Sequence, residues 1–170
     1  MNVLFVCLGN ICRSPMAEAM FKQMVDDAGL NDKINVDSAG TSNEEEGNGP
    51  HPGAAKTMHA HGLSTDGLIS RPITRQDFEW ADYIICMDNM NKYNLQRIAP
   101  AQDRDKVHLA YEVIPGKEDQ EIPDPWYTHR FEDTYNSLNE TLPLWLDKIT
   151  KELSLQQKRF GKSSLPLFIV

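Results

Sequence analysis

Two side chains near the start of the chain could together bind and attack a phosphate group. They are Cys7 and Arg13, with five residues between them. A planar guanidinium can grip two oxygens of a tetrahedral oxyanion at once. A thiol close to that cation and to a helix N-terminus favours its thiolate form, which is the nucleophilic form of cysteine. The pair therefore predicts nucleophilic chemistry on a bound oxyanion.

The residues around this pair predict a strand, a short loop and a helix. Residues 3–6 form an apolar run of strand length, and Ser14 and Pro15 are candidates for the N-cap and the first position of a helix. Backbone N–H groups of such a loop converge with the positive end of the helix dipole, so they can hold phosphate. Gly9 and Asn10 tolerate the left-handed backbone geometry that turns these amides inward. The predicted phosphate-binding residues are Leu8, Gly9, Asn10, Ile11, Cys12, Arg13 and Ser14.

A carboxylic acid that could complete this chemistry lies far along the chain, in a long loop predicted over residues 111–127. Asp124 is followed there by a proline and two aromatic residues. An acid on a loop held by prolines can protonate the oxygen that leaves a phosphate ester. Taken by itself, Asp124 fits an ordinary surface turn better. Its partnership with Cys7 favours the catalytic role.

The elements that must position these residues alternate between strand and helix. The predicted strands cover residues 3–6, 34–41, 81–87 and 107–109. Asp88 is the predicted N-cap of the helix after the third strand, and the last helix is predicted to begin at Thr128. This alternation predicts an α/β fold, namely a three-layer doubly wound parallel sheet of about four strands with flanking helices. Sites in such sheets lie at the carboxyl ends of the strands.

The composition is that of a single globular domain. The chain has 170 residues, of which 40% are hydrophobic and 25% charged, enough for one core. The net charge of −8 disfavours nucleic acids and anionic membranes, because both need a basic protein surface. No apolar run has the length of a membrane span or of a signal peptide core. We therefore expect a cytoplasmic protein that binds neither nucleic acid nor membrane.

The three cysteines and five histidines show no metal-ligand spacing, so we expect neither a metal nor a cofactor. An odd number of cysteines also favours reduced thiols over a disulfide framework. Cys86 fits the core of its strand. Cys12 has two interpretations, a packed loop residue or a partner that captures oxidised Cys7 as a disulfide.

Four segments, taken together, resemble the low-molecular-weight protein tyrosine phosphatase family. These segments are residues 6–19, 38–41, 86–88 and 124–127. The resemblance runs in order from residue 2 to about residue 152. It predicts a phosphatase domain over residues 1–153 and a C-terminal extension of unknown role over residues 154–170.

The resemblance implies a role for each matching residue in catalysis. Cys7 would be the nucleophile, Arg13 the clamp on the oxyanion, and Asp124 the general acid and later the general base. Cys12 would be the redox partner of Cys7, which favours the second of its two interpretations.

The resemblance also implies supporting roles. Asn10 and Ser38 would brace the loop, and Ser14 would donate a hydrogen bond to the nucleophilic sulfur. Trp126 and Tyr127 would line the mouth that receives an aryl phosphate. No cofactor is implied.

The predicted reaction is hydrolysis of phosphotyrosine in proteins, and of small aryl phosphates, through a phosphocysteine intermediate. Inorganic phosphate would be both product and inhibitor. An arsenate reductase is a rival, but it relays oxidation through further cysteines, and beyond Cys12 only Cys86 is available. A phosphocysteine carrier would have little use for both Arg13 and Asp124, and an inactive binding module would be expected to lose Cys7 or Asp124. A protein-arginine phosphatase is another rival, and some bacterial relatives of that kind carry threonine where this chain has Ile11.

Overall fold

The computed structural model of the protein describes residues 1–162, and four parallel strands form one sheet within them. The strands are β1 (Asn2–Cys7), β2 (Asn35–Gly40), β3 (Tyr83–Cys86) and β4 (Val107–Leu109). They lie in the order β2-β1-β3-β4, and each neighbouring pair is parallel. The four predicted strands are confirmed, although β2 and β3 are shorter than predicted.

Within the described residues, six α-helices connect and flank these strands. They are α1 (Arg13–Asp27), α2 (Pro52–Ala60), α3 (Arg75–Trp80), α4 (Asn89–Ile98), α5 (Pro125–Thr128) and α6 (Phe131–Lys162). Two short 3₁₀ helices, Ala101–Lys106 and Ala110–Val113, lie on either side of β4.

Alternate residues of β1 face two different layers of helices. Val3 and Phe5 belong to a buried cluster with residues of α1, α2 and α6, whereas Leu4 and Val6 belong to a second cluster with residues of α3 and α4. All four side chains are fully buried. Burial of each contributes roughly 1.5–3 kcal/mol of hydrophobic free energy. The three-layer doubly wound α/β fold is therefore confirmed.

The long helix α6 covers the sheet beside α1. Its residues Leu138, Leu142, Trp145 and Ile149 are fully buried and follow the helical repeat, so one face of the helix enters the core. The indole Nε1 of Trp145 donates to the carbonyl of Ala110 at 2.7 Å. That hydrogen bond satisfies the polar group of this large side chain inside the core.

Helix α6 continues through residue 153 without a break and reaches Lys162. The division into a domain of residues 1–153 and an extension of residues 154–170 stays a prediction, and its residues 163–170 lie outside the described residues. Among the helices in the described part of the chain, we find none whose length and apolarity would let it cross a membrane.

The start of α1 differs from the prediction. The helix begins at Arg13, and Cys12 occupies the N-cap position without a side-chain cap. The prediction of Ser14 as N-cap is therefore wrong. The hydroxyl of Ser14 instead lies 3.1 Å from the sulfur of Cys7.

The last helix also begins later than predicted, at Phe131 rather than Thr128. Residues 125–128 form the separate short helix α5, which Asp124 caps. His129 has a φ of 58°, a left-handed conformation that ends α5 before α6 begins.

The order of the strands determines where a ligand site can lie. The chain leaves β1 to form β2 on one side and later returns to place β3 on the other side. Ligand sites of doubly wound sheets lie at the carboxyl ends of the strands where this order reverses. Cys7 ends β1 and Asp88 follows β3, so both lie at that point.

Candidate active site

The loop between β1 and α1, residues 7–13, which we call the phosphate loop, has its carbonyl groups tied to the surrounding structure. Backbone N–H groups of Thr41, Ser42, His51 and Met16 donate to the carbonyls of Cys7, Leu8, Ile11 and Cys12 at 2.9, 3.0, 2.8 and 3.3 Å. The hydroxyl of Ser70 donates to the carbonyl of Gly9 at 2.8 Å. Five of the seven carbonyls in the loop are thus held by other residues.

The N–H groups of the same loop are available. Within residues 1–162, no backbone N–H from Leu8 to Ser14 donates a hydrogen bond to another residue. Asn10 adopts the left-handed conformation, with a φ of 55°, whereas Gly9 does not. Unpaired N–H groups in such a turn, together with the N-terminus of α1, form an anion-binding site.

Gly40, at the end of β2, lies directly against the phosphate loop. A Cβ on this residue would lie 2.8 Å from the carbonyl oxygen of Leu8, 3.0 Å from that of Ser42 and 3.3 Å from the Cβ of Asn10. The first two of these atoms are backbone, which cannot rotate away. The close approach therefore requires glycine at this position.

Gly40→Ala is expected to displace the phosphate loop and to weaken binding of inorganic phosphate about tenfold, with a loss of about 1–3 kcal/mol in the free energy of unfolding. Calorimetry and urea denaturation measure the two effects. Gly49→Ala is the matched control, because within the described residues a Cβ there meets no heavy atom within 4 Å. Equal phosphate affinity in the Gly40→Ala and Gly49→Ala variants would contradict this account.

A series of hydrogen bonds, in which Asn10 donates in two directions, connects Glu18 to the sulfur of Cys7. Ser38 donates to Glu18 Oε1 at 2.7 Å, and Asn10 Nδ2 donates to Ser38 Oγ at 3.0 Å. Asn10 Nδ2 also donates to Ser14 Oγ at 2.7 Å, and Ser14 Oγ lies 3.1 Å from Cys7 Sγ. Because Ser14 accepts from Asn10, its own proton can point at the sulfur. Such a donor stabilises a thiolate.

Glu18, the acidic residue at one end of this series, is buried, and its charge is neutralised by a lysine. Glu18 is buried in α1, and Lys22, one turn along the helix, donates to its Oε2 at 2.6 Å. The lysine supplies the charge that a buried carboxylate needs.

Arg13 is 3% exposed and is fixed by three oxygens. Its Nη1 donates to Asp88 Oδ2 at 2.9 Å and to the carbonyl of Ile122 at 3.2 Å, and its Nη2 donates to Asp124 Oδ2 at 3.3 Å. Burial by itself lowers the pKa of Arg13, but the charges of Cys7, Asp124 and Asp88 outweigh it and raise that pKa. The guanidinium is therefore a permanent, preoriented cation.

Asp124 lines the same cavity as Cys7, with its side chain 25% exposed. Its Oδ1 accepts from the N–H of Trp126 at 3.1 Å, which caps α5, and its Oδ2 pairs with Arg13. The carboxyl group is thus held beside the place where an oxyanion on Arg13 would sit. This is the position that a general acid requires.

The mouth of the cavity has an aromatic wall and an acidic rim. Trp126 and Tyr127, which we call the aromatic wall, line it while being 55% and 75% exposed. Ile11, a residue of the phosphate loop, also lines the cavity. Glu44 and Glu45 form the rim. An apolar, aryl group attached to a phosphate matches such a mouth.

The two other cysteines, Cys12 and Cys86, are buried thiols. Burial, followed by the charges of Cys7 and Asp124, raises the pKa of the Cys12 thiol to about 12. Burial also raises the pKa of Cys86, which lies in the core of its strand. At neutral pH both are protonated thiols, although Cys12 lines the same cavity as Cys7.

The structure adds two residues to the site, Asp88 and Glu18, and a third beside it, His51, none of which the sequence predicted there. Asp88 was predicted only as an N-cap. It does cap α4 through Oδ1, at 2.7 Å from the Asn91 nitrogen, but its Oδ2 holds Arg13. Glu18 lies four residues after Ser14, a spacing that places both on one face of a helix. His51 precedes a proline at a helix start, which predicts an N-cap but no contact with the site.

Comparison with known proteins finds phosphatases that match nearly the whole chain. The family model described as "Low molecular weight phosphotyrosine protein phosphatase" matches residues 2–156. The low molecular weight protein-tyrosine-phosphatase YfkJ of Bacillus subtilis is 38% identical over 154 residues, which are 91% of this chain and 99% of YfkJ. The protein-tyrosine-phosphatase PtpA of Staphylococcus aureus is 38% identical over 157 residues, 92% of this chain and 98% of PtpA.

Solved structures agree with these sequence matches. The crystal structure of Bacillus subtilis YfkJ superposes with a TM-score of 0.86, over 89% of this chain and 96% of that one. A Drosophila arginine phosphatase superposes with a TM-score of 0.80 at 36% identity, over 88% of this chain and 98% of that one. The fold is thus shared by phosphatases described with two different substrates.

Proposed function

Because the chain belongs to the low molecular weight phosphotyrosine protein phosphatase family, we propose that it hydrolyses phosphotyrosine in proteins, and small aryl phosphates, through a phosphocysteine on Cys7. One observation carries this proposal. A single cavity brings together Cys7, the free N–H groups of the phosphate loop, Arg13 and Asp124. These groups supply a nucleophile, a binding site for an oxyanion and an acid.

In the first step the Cys7 thiolate attacks phosphorus in line with the leaving phenol. The N–H groups of the phosphate loop and Arg13 hold the three other oxygens. In the structure, Nη2 of Arg13 donates to Oδ2 of Asp124. When the phosphoryl group binds, it accepts this hydrogen bond instead, and the carboxyl group of Asp124 is freed. As the bond from phosphorus to the phenol oxygen breaks, Asp124 gives its proton to that oxygen.

In the second step a water molecule replaces the phenol. Asp124, now a carboxylate, takes a proton from the water, and the water oxygen attacks the phosphorus of phosphocysteine. The bond from phosphorus to sulfur breaks and returns the Cys7 thiolate. Inorganic phosphate is released, and because it fits the phosphate loop it is also expected to inhibit competitively.

A protein-arginine phosphatase is the second candidate, because an arginine phosphatase is among the structures that superpose on this chain. Ile11, which is 9% exposed in the cavity, and the aromatic wall favour the flat apolar ring of phosphotyrosine over the polar phosphoguanidinium. The test compares kcat/KM for one peptide carrying phosphotyrosine and for the same peptide carrying phosphoarginine. A higher value for phosphoarginine would overturn the preference. Arsenate with thioredoxin, assayed in parallel, tests the reductase alternative.

We also propose that the enzyme acts in the cytoplasm. A nucleophilic Cys7 must be reduced to attack phosphorus, and thiols stay reduced in that compartment.

Peroxide is expected to inactivate the enzyme reversibly through Cys12. Oxidation of the Cys7 thiolate by hydrogen peroxide gives a sulfenic acid and hydroxide. Attack by Cys12 then forms the disulfide and releases water. In Cys12→Ser this second reaction is missing, so oxidation continues to sulfinic acid. Recovery of activity with dithiothreitol, together with intact mass, distinguishes the two products.

The raised pKa of Cys12 adds a pH dependence to this prediction. Attack requires the thiolate, and because burial raises the pKa of Cys12, its thiolate fraction rises about tenfold for each pH unit below that pKa. The recoverable fraction of the wild type should therefore increase from pH 6 to pH 8. Equal recovery of wild type and Cys12→Ser at both pH values would show that Cys12 is a packing residue.

A further inference from the structure

His51 connects the phosphate loop to the start of α2. Its backbone N–H donates to the carbonyl of Ile11 at 2.8 Å, and its ring Nδ1 accepts from the N–H of Gly53 at 3.0 Å. The second bond makes His51 the N-cap of α2 and leaves the ring proton on Nε2. The reaction proposed above uses no atom of this residue.

The ring of His51 also touches two aromatic side chains. It stacks on Phe131, with ring centroids 5.1 Å apart and an angle of 23° between the planes. It meets Trp126 edge to face, with centroids 6.0 Å apart at 83°. Both distances lie within the range in which aromatic pairs attract one another. His51 thus stands behind the aromatic wall and not inside the cavity.

The position of the His51 ring is fixed from two sides. A Cβ on Gly53 would collide with the ring of Phe131, so Phe131 packs directly on the start of α2. The cap bond holds one edge of the His51 ring, and Phe131 covers one face. Trp126, by contrast, is more than half exposed. Its contact with His51 therefore restrains a side chain that is more exposed to solvent than buried.

We propose that His51 is a positioning residue that holds Trp126 as the wall against the aryl group of the substrate. This inference rests on the proposed function, because the wall matters only when the leaving group is aryl. Inorganic phosphate occupies the phosphate loop and has no aryl group. Loss of the His51 ring should therefore weaken the use of aryl phosphates and leave the affinity for inorganic phosphate unchanged.

Two substitutions separate the ring of His51 from its cap bond. His51→Asn retains an acceptor for the Gly53 N–H but has no ring, whereas His51→Phe retains a ring but has no acceptor. The backbone bond to Ile11 is preserved in both. In His51→Asn, kcat/KM for p-nitrophenyl phosphate should fall about three- to tenfold, while the inhibition constant of inorganic phosphate stays within twofold. In His51→Phe, kcat/KM should stay within twofold, while Tm falls by about 2–4 °C because the cap is lost.

A control variant and three possible results decide whether the inference holds. His59→Asn changes another histidine of α2, whose Nε2 lies 3.2 Å from Thr65 Oγ1, and should leave all three quantities unchanged. An unchanged kcat/KM in His51→Asn, or an equal fall in His51→Phe, overturns the inference. A parallel rise in the inhibition constant of phosphate in His51→Asn also overturns it, because His51 would then support the phosphate loop. Failure of the wild type to hydrolyse aryl phosphates would instead refute the proposed function.

Discussion

Cys7→Ser is expected to lower kcat for p-nitrophenyl phosphate by about 10⁴-fold or more, because a serine hydroxyl at this site has no base to activate it. The variant should still bind inorganic phosphate with nearly the wild-type affinity. The N–H groups of the phosphate loop and Arg13 bind the oxyanion, and neither changes when sulfur is replaced by oxygen. Steady-state kinetics and calorimetric titration with phosphate measure the two effects.

Arg13→Ala provides the contrast to this result, because it should abolish turnover and phosphate binding together. It removes the oxyanion clamp and leaves the carboxylates of Asp88 and Asp124 without their shared cation. Arg71→Ala is the matched control. Arg71 forms ion pairs with Asp37 and Asp77 outside the cavity, so its loss should reduce stability but not phosphate affinity. A Cys7→Ser enzyme with near-normal turnover would show that Cys7 is not the nucleophile.

Asp124→Asn is expected to slow the hydrolysis of phosphate esters, and to slow it most for esters with a poor leaving group. General-acid assistance is worth about 10²–10⁴-fold, and an ester whose leaving oxygen is strongly basic needs it most. Phenyl phosphate should therefore lose about 10²-fold or more in kcat/KM, whereas p-nitrophenyl phosphate should lose much less. The slope of log kcat/KM against leaving-group pKa, for a series of substituted phenyl phosphates, is the measurement.

This substitution tests the acid without removing the cap of α5. Asparagine retains the oxygen that accepts from the Trp126 N–H, so the loop should keep its conformation. Asp119→Asn, at an exposed position of the same loop, is the control and should leave the slope unchanged. If Asp124→Asn slowed all esters equally, the proton would have to come from another group.

The chemistry of this protein could be predicted from sequence because most of it is local. Cys7 and Arg13 belong to one strand, loop and helix, whose geometry follows from short-range preferences of the backbone. The four strands could be predicted because buried parallel strands have a characteristic apolar composition. Asp124 was harder to assign, since an acid in a proline-containing turn has no distinguishing local feature.

The two incorrect helix starts have different causes. Local signals indicate that a polar residue near a helix start can serve as an N-cap, but they do not show what else that side chain contacts. The hydroxyl of Ser14 is occupied by Asn10 and faces Cys7, so it does not cap α1. His129 adopts a left-handed conformation that separates α5 from α6, and non-glycine residues adopt it too rarely to be predicted.

The sequence by itself was enough to propose the nucleophile and the phosphate loop and to predict the class of fold, because each depends on neighbouring residues or on a simple repeat. Only the tertiary structure decided what surrounds them. Arg13 is held by Asp88 and Asp124, which are 75 and 111 residues away along the chain. They meet because parallel strands bring their carboxyl ends to one edge of the sheet, and the order of those strands selects which loops become neighbours. The contact of His51 with Trp126 arises in the same way, since no local preference of either residue specifies the other.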